Sequence, residues 1–162
     1  LDPGVILAAL PQAQLAFIAK KEVLDMPILN RLMPRLLCQF INRENDREAL
    51  KTILKCISII KEDKANVAVF PEGKITGDNK LHAYRPGVFK IAQKAGVPIV
   101  VCTLFGTQDI PHNLKKLRRT HIRFRLLEVI PAEELKGVTT VDIAHRVHAI
   151  MAADLGPEHV AE

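Results

Sequence analysis

The chain has 162 residues and a formal net charge of +5, and 48% of its residues are apolar while 25% are charged. This composition is typical of one globular domain with a sizeable core, and it argues against intrinsic disorder. Aromatic residues make up 4% and tryptophan is absent, which disfavours stacking of nucleic-acid bases, and no apolar run reaches the length of about 18 residues that a bilayer-spanning helix needs.

The first part of the chain is predicted to alternate short helices with short strands. Pro3 suits the first turn of a helix, because that position needs no amide hydrogen. Pro27 and Pro34 interrupt an apolar stretch that also carries arginines, which favours short helices over one long helix. The predicted order is helix 3–10, strand 15–19, short helices within 23–37, and strand 38–41.

The clearest predicted helix covers residues 47–61. Asn45 or Asp46 can cap its N-terminus, and Glu48 lies in its first turn, where a negative charge complements the helix dipole. Apolar side chains recur along it at helical spacing. The predicted apolar face consists of Ala49, Leu50, Ile53, Leu54, Ile57 and Ile60.

The second half of the chain continues this alternation. The near-continuous apolar run 97–105 predicts a strand that is covered on both faces. Ile122, Phe124 and Leu126 alternate with two arginines, which predicts a half-exposed, peripheral strand. The predicted elements are strand 67–70, helix 86–95, strand 97–105, strand 122–126 and helix 141–153. The fold class that follows is α/β, a single domain with a mixed, largely parallel sheet flanked by helices.

The cysteines indicate a reducing environment. Cys38, Cys56 and Cys102 are odd in number, widely spaced and set among apolar neighbours. This pattern favours reduced core thiols in a cytosolic protein over disulfides. No pair of Cys or His has the spacing of zinc ligands, so we expect neither a metal nor another cofactor.

Much of the positive charge lies within residues 115–125, which carry six Lys or Arg and no acidic residue. Such a run is compatible with a solvated surface. It is equally compatible with attraction to an anionic membrane, to a polyanionic carrier or to nucleic acid.

A carboxylate is expected at the end of strand 67–70, in the segment Phe70-Pro71-Glu72-Gly73. A polar, basic turn follows at 74–80, and then Arg85-Pro86-Gly87. In α/β sheets, ligands tend to lie beyond the carboxyl ends of strands, and Glu72 falls at such an end. One acidic and several cationic groups gathered there suit an anionic, phosphate-bearing substrate.

Four short motifs follow one another along the chain. They are Leu1-Asp2-Pro3, Phe40-Ile41-Asn42-Arg43, Phe70-Pro71-Glu72-Gly73 and Val97-Pro98-Ile99-Val100. In this order they resemble the glycerolipid acyltransferase family, and most of all its 1-acyl-glycerol-3-phosphate (lysophosphatidate) acyltransferases. The resemblance runs from residue 2 to residue 102, roughly the first two-thirds of the chain.

The resemblance implies a specific acyl transfer. An imidazole deprotonates the acceptor's hydroxyl, which attacks the thioester of acyl-CoA or acyl-carrier protein without a metal or a covalent enzyme intermediate. Asp2 is implied as the carboxylate that orients this imidazole. The family's His stands five residues before that Asp, outside this chain, and none of the six histidines has an Asp five residues later. We therefore expect residues 1–162 to be an acyltransferase domain that lacks its N-terminal part with the catalytic His, and to be inactive alone.

The resemblance also implies a set of substrate-binding residues, namely Lys21, Arg43, Glu72, Gly73, Lys74 and Arg85. The cations would hold the acceptor's phosphate through charge-assisted hydrogen bonds, while Glu72 and Gly73 would shape the acceptor site. Ile75 stands where the family motif has an arginine. Lys74 or Arg85 would replace that cation, although a lysine lacks the planar fork of arginine.

Simpler roles are open for three of these residues. Asp2 is also suited to cap the first helix, Arg43 to pair with a surface carboxylate, and Glu72 to stabilise a turn.

The function that the sequence predicts is transfer of a fatty acyl group to the free hydroxyl of 1-acyl-glycerol-3-phosphate, giving phosphatidate. The expected location is the cytoplasmic side of a membrane, peripheral or anchored through upstream segments. Residues 23–37 and 115–125 are the candidate contacts with lipid.

Three alternatives stay open at this point. The first is a sister acyltransferase whose acceptor is glycerol-3-phosphate or a lyso-aminolipid. The second is a non-catalytic module that binds lipid or carrier protein. A nucleic-acid-binding module has only the basic run in its favour, and we expect no nucleic-acid partner.

Overall fold

Helices and strands alternate in the predicted order in a computed structural model, which describes residues 2–25, 27–41, 45–73, 77–78 and 80–161. The strands are β1 (Leu15–Lys20), β2 (Gln39–Ile41), β3 (Asn66–Ala68), β4 (Ile99–Phe105) and β5 (Arg123–Ile130). The α-helices are α1 (Asp2–Ala9), α2 (Leu29–Arg35), α3 (Asp46–Lys61), α4 (Lys90–Ala95), α5 (Ile110–Lys115) and α6 (Thr140–Leu155). Short 3-10 turns occupy Lys21–Asp25, Pro86–Phe89, Thr107–Asp109, Ala132–Leu135 and Pro157–His159.

The first three strands form a parallel sheet in the order β2-β1-β3. Ile18 of β1 lies opposite Gln39 of β2, and Ala16 lies opposite Val67 of β3. Strands that run parallel need a crossover connection. Helix α2 connects β1 to β2, and α3 connects β2 to β3, which pairs with the other side of β1. The predicted α/β class with parallel strands and flanking helices is confirmed. All three strands direct their carboxyl ends to the same edge of the sheet.

The last two strands form a separate antiparallel pair, β4-β5, which packs against α6. On the α6 side of β4, Val101 and Thr103 are 2% and 3% exposed. Val100, on the opposite face, is 52% exposed, so the prediction that this strand is covered on both faces is wrong there. An apolar run predicts a buried strand, but it does not show whether one face or both faces of the strand pack against other elements.

The prediction of a half-exposed, peripheral strand is confirmed for β5, which pairs with β4 alone among the described strands. Its Arg125 lies opposite Thr103, and both side chains donate hydrogen bonds to Asp154 of α6. The arginine side of β5 therefore faces α6. Leu126, on the other side, is 61% exposed.

Each sheet has its own hydrophobic core. The larger core lies between β4, β5 and α6 and consists of Phe89, Val101, Ile130, Leu135, Ile143, Ala144 and Val147. The smaller core surrounds Phe17, Met33 and Cys38, with side chains from α1 and α2 packed around them.

Helix α3 begins as predicted, because the Asn45 side chain accepts hydrogen bonds from the amides of Arg47 and Glu48. Its buried face differs from the predicted one. Thr52, Cys56 and Ile59 are buried, whereas the predicted Leu50 and Leu54 are 52% and 57% exposed. The Thr52 hydroxyl donates a hydrogen bond of 2.9 Å to the Phe40 carbonyl oxygen, which ties this face of the helix to β2.

The thiols lie inside the molecule, with Cys38 and Cys56 buried and Cys102 half-buried. Burial raises the pKa of all three, and that of Cys56 to about 11. They are therefore protonated near neutral pH and unreactive as nucleophiles. Among the residues that the structure describes, no helix has the length and hydropathy required to cross a membrane.

Candidate functional site

A shallow cleft of about 80 Å³ lies at the carboxyl edge of the parallel sheet. It is lined by one apolar side chain from the end of each strand: Ile18 near the end of β1, Ile41 at the end of β2 and Val69 just after β3. The remaining lining residues are Asp46, Ala49, Phe70, Arg85 and Val88. This is the edge of the sheet at which the sequence predicts ligand binding.

The turn that follows β3 positions Phe70 in the cleft. The Gly73 amide donates a hydrogen bond of 3.1 Å to the Phe70 carbonyl oxygen, and the Phe70 ring stacks on buried Phe17 with ring centroids 6.4 Å apart. Gly73 is buried with φ at +72°, in the left-handed region that only glycine adopts without strain. Strand β3 ends at Ala68, two residues earlier than predicted.

Glu72 is directed into the protein rather than into the cleft. Its Oε2 accepts a hydrogen bond of 3.0 Å from the His82 amide, and the side chain is half-buried. Burial raises the pKa of the nearby Tyr84 hydroxyl, and the negative charge of Glu72 raises it further. The geometry therefore shows Glu72 stabilising the loop between the turn and Arg85. A direct role in acceptor binding stays a prediction.

Arg85 is the described cation that lines the cleft. Its amide donates a hydrogen bond of 2.9 Å to the Pro71 carbonyl oxygen, which places the residue beside the turn. Its exposed side chain has no carboxylate partner among the described residues. The backbone of Arg85 is thus fixed, and its free guanidinium is able to bind a phosphate bidentately.

The other predicted residues have different positions. Asp2 lies half-buried in the first turn of α1, outside the cleft lining. Lys21 directly follows β1, and its Nζ lies 3.9 Å from Glu48 Oε2 on α3. Arg43 and Lys74 lie outside the described residues.

Asp46 is a cleft residue for which the sequence suggested only a capping role. It occupies the first position of α3, immediately after its cap Asn45, and it lines the cleft together with Arg85. The signal available in the sequence was its place just after the end of β2, because the first turn of the next helix starts at the ligand-binding edge.

No described group of three or more His, Cys, Asp or Glu side chains is arranged to hold a metal ion. The described lining of the cleft consists of apolar side chains, one guanidinium and one carboxylate.

Comparison with known proteins identifies the family. The sequence profile described as Acyltransferase matches residues 1–104. The chain belongs to the acyltransferase family. This finding confirms the resemblance seen in the four motifs. All residues that line the cleft fall within the matched acyltransferase part, whereas α5, β5 and α6 follow it.

Similar proteins carry a consistent description. A "Probable 1-acyl-sn-glycerol-3-phosphate acyltransferase" of Mycoplasma pneumoniae is 30% identical over 126 residues, which are 75% of this chain and 47% of that protein. The chloroplastic 1-acyl-sn-glycerol-3-phosphate acyltransferase BAT2 of Brassica napus is 33% identical over 94 residues, which are 58% of this chain and 27% of that protein. The chain thus spans about half or less of the length of these relatives.

A solved structure shares the fold. The crystal structure of the 1-acyl-sn-glycerophosphate (LPA) acyltransferase PlsC from Thermotoga maritima matches with a TM-score of 0.66 and 22% identity. The match covers 88% of this chain and 56% of that protein. It therefore confirms the α/β fold beyond the part that the family profile matches.

Proposed function

We propose that this chain acts in the transfer of a fatty acyl group from acyl-CoA or acyl-carrier protein to the free hydroxyl of 1-acyl-glycerol-3-phosphate, giving phosphatidate. The observation that carries the proposal is the cleft at the carboxyl edge of the parallel sheet. It lies in the acyltransferase part of the chain, it presents Arg85 beside the turn of Gly73, and the relatives named above are 1-acyl-sn-glycerol-3-phosphate acyltransferases.

The proposed reaction is a direct attack on a thioester. A base takes the proton of the acceptor's hydroxyl as the oxygen attacks the thioester carbonyl, the carbon–sulfur bond breaks, and the thiolate leaves and regains the proton. We assign Asp2 to the positioning of an imidazole base, through a hydrogen bond that fixes the tautomer of the ring. In the family pattern that histidine precedes Asp2 by five residues and is not one of the residues 1–162.

The cleft suits the polar end of the acceptor. The cleft of about 80 Å³ is small and shallow, and it suits a phosphate group better than an acyl chain. In the proposal, Arg85 binds the phosphate together with Lys21, Arg43 and Lys74, and Glu72 and Gly73 shape the loop around it. The acyl chains then stay outside the cleft, which fits a protein that works peripherally at the cytoplasmic surface of a membrane.

One observation favours a second candidate acceptor. Asp46 places a carboxylate in the same cleft as Arg85, and Ile75 stands where the family motif has a cation. An acceptor that carries both a phosphate and an amine would match this pair of charges. A lyso-aminolipid is therefore the alternative acceptor to test beside lysophosphatidate.

The test is an acyl-transfer assay in neutral detergent micelles with labelled acyl-CoA or acyl-carrier protein. The protein is expressed with the coding sequence upstream of Leu1, and in parallel as residues 1–162 alone. We expect transfer to lysophosphatidate by the longer protein, about 10³-fold slower transfer by its Asp2→Asn variant because the imidazole loses its orientation, and none by residues 1–162. Asp25→Asn, at an exposed position outside the cleft, is the control.

Each other outcome has a defined meaning. Transfer only to a lyso-aminolipid or to glycerol-3-phosphate would keep the chemistry and overturn the acceptor. Full activity of the Asp2→Asn variant would show that Asp2 only caps the first helix. Absence of transfer to any acceptor by the folded longer protein would favour a module that only binds lipid or carrier.

A further inference from the structure

A basic, leucine-bearing turn starts in the last two residues of α5 and continues toward β5. We call this surface the basic turn, and it consists of Leu114, Lys115, Lys116, Leu117, Arg118 and Arg119. All six residues are exposed, and Leu114 and Leu117 are 69% and 94% exposed. The turn lies outside the part of the chain that the family profile matches and outside the cleft lining.

The turn has a defined shape rather than an extended one. The Asn113 carbonyl oxygen accepts hydrogen bonds from the amides of Lys116 (3.1 Å) and Arg118 (2.8 Å). The Asn113 side-chain amide donates to the Thr120 hydroxyl at 3.2 Å, which joins the two ends of the turn. These hydrogen bonds fix the backbone of the turn, and the six side chains are presented together on its surface.

Leu117 is unusual in both conformation and exposure. Its φ is +51°, in the left-handed region that a leucine rarely adopts, and its amide donates to the Leu114 carbonyl oxygen at 3.1 Å. The conformation directs an apolar side chain into solvent, where it makes no contribution to the core. Packing within the protein therefore does not explain this residue.

The charge around the two leucines is of one sign. Residues 110–127 contain six Lys or Arg and no Asp or Glu. None of the four cations of the basic turn has an ion-pair partner among the described residues, in contrast to Arg125 and Arg146, which are paired. Four unpaired cations around two exposed leucines form a surface that is both positive and apolar.

We infer that the basic turn docks onto the surface of an anionic phospholipid bilayer. The leucines enter the boundary between head groups and acyl chains, while the cations meet lipid phosphates. An acidic carrier protein would match the charges of the turn. An anionic bilayer matches the charges and also offers an apolar layer to the exposed Leu117 side chain. The inference deepens the membrane association in the proposed function, and it names the surface responsible.

Vesicle sedimentation tests this inference without any acyl transfer. The chain is mixed with vesicles of phosphatidylcholine alone, or of phosphatidylcholine and phosphatidylglycerol, at low and high salt. We expect binding to the anionic vesicles, weakened by salt because screening shortens the reach of the charges. Replacing the four cations by Gln lowers binding by at least about tenfold, since each Lys or Arg near an anionic surface contributes a factor of about five.

Two further variants separate the turn from general effects. Leu117→Gly removes the side chain and suits the left-handed backbone, so the fold is kept while binding falls about fivefold. The control replaces four exposed lysines of α3 and α4 by Gln and changes the net charge by the same amount: Lys51, Lys55, Lys61 and Lys94. It is expected to change binding less than about twofold, because these lysines lie outside the surface that is proposed to meet the lipid.

The inference is overturned if the control loses as much binding as the basic-turn variant, if neutral vesicles bind equally well, or if acyl-carrier protein binds the turn and anionic vesicles do not. The micelle assay described above reports acyl transfer without an anionic surface. Loss of vesicle binding with transfer in micelles retained would thus separate a failure at the turn from a failure of the proposed reaction.

Discussion

The charged residues around α6 are paired, whereas the charged residues that line the cleft are not. In the α6 unit, defined as β4, β5 and α6, Arg146 binds both Glu128 and Glu134, and Asp154 binds Thr103 and Arg125. In the cleft unit, defined as residues 15–88, the two charged residues that line the cleft, Arg85 and Asp46, have no ion-pair partner among the described residues.

The cores differ in the same direction. The α6 unit contributes most of a core of seven buried residues, whereas the core of the cleft unit has three. Most of the larger buried core thus belongs to the α6 unit, whereas the two charges that line the cleft are left free for a ligand. Such a division is common where a site must leave polar groups unsatisfied until the substrate arrives.

The largest expected effect comes from the α6 core. Ile130 is 0% exposed, so Ile130→Ala leaves a cavity and is expected to lower the free energy of unfolding by about 3 kcal/mol. Its neighbour Val129 is 48% exposed, and Val129→Ala is expected to cost less than about 1 kcal/mol. Urea denaturation measures both, and equal losses would contradict the assignment of the stabilising core.

Arg85→Ala is the matching change in the cleft unit. Its side chain has no partner among the described residues, so we expect no loss of stability, but about a 30-fold loss of kcat/KM for a phosphate-bearing acceptor. Lys90→Ala, at an exposed position outside the cleft lining, is the control and is expected to stay within about twofold. Comparable activity of the two variants would remove Arg85 from the proposed phosphate site.

Gly73→Ala tests the backbone of the turn. The left-handed conformation of Gly73 is expected to cost an alanine about 1–2 kcal/mol of unfolding free energy. Gly87→Ala is the control, since nothing lies within 4 Å of the added methyl group and its backbone needs no positive φ. Chemical denaturation of the two variants should differ accordingly. An unchanged Gly73→Ala would show that the turn relaxes freely.

The smallest expected effect concerns acid stability of the α6 unit. The Thr103 hydroxyl, followed by Arg125, lowers the pKa of Asp154 below its ordinary value of 3.8. A carboxyl whose pKa is lowered by folding stabilises the protein above its unfolded pKa, and this stabilisation is lost as the pH falls through the lower folded pKa. Denaturation at a series of pH values from about 5 to about 2 should therefore show a shallower decline in Asp154→Asn. Parallel curves for the two proteins would contradict the shift.

Much of the fold is predictable from the sequence, because local signals agree with it. Pro27 precedes α2, Asn45 marks the start of α3, and Gly96 ends α4 in the left-handed conformation. Pro34 lies inside α2, so the prediction that it interrupts the helix is wrong. The position of the cleft is predictable as well, because the turn of Gly73 follows a strand and ligands gather at carboxyl ends.

What the sequence does not reveal is which face of an element finds a partner. Leu50 and Leu54 lie on the apolar side of α3, yet Thr52 is buried instead because its hydroxyl bonds a β2 carbonyl. Val100 belongs to an apolar strand but lies on its open face. Asp46 enters the cleft through the orientation of a whole helix. These outcomes depend on tertiary packing, which the hydrophobic periodicity of the sequence does not reveal.

The loop from the turn of Gly73 to Arg85 is attached at both ends by hydrogen bonds. The Arg85 amide donates to the Pro71 carbonyl oxygen, and the His82 amide donates to the Glu72 carboxylate. Its ends therefore hold their positions whatever sequence connects them, because extra residues in a closed loop cost little free energy. Changes in length at residues 75–77 are therefore expected to leave Arg85 in place. The same scaffold can then carry connecting segments of different length and charge beside the cleft.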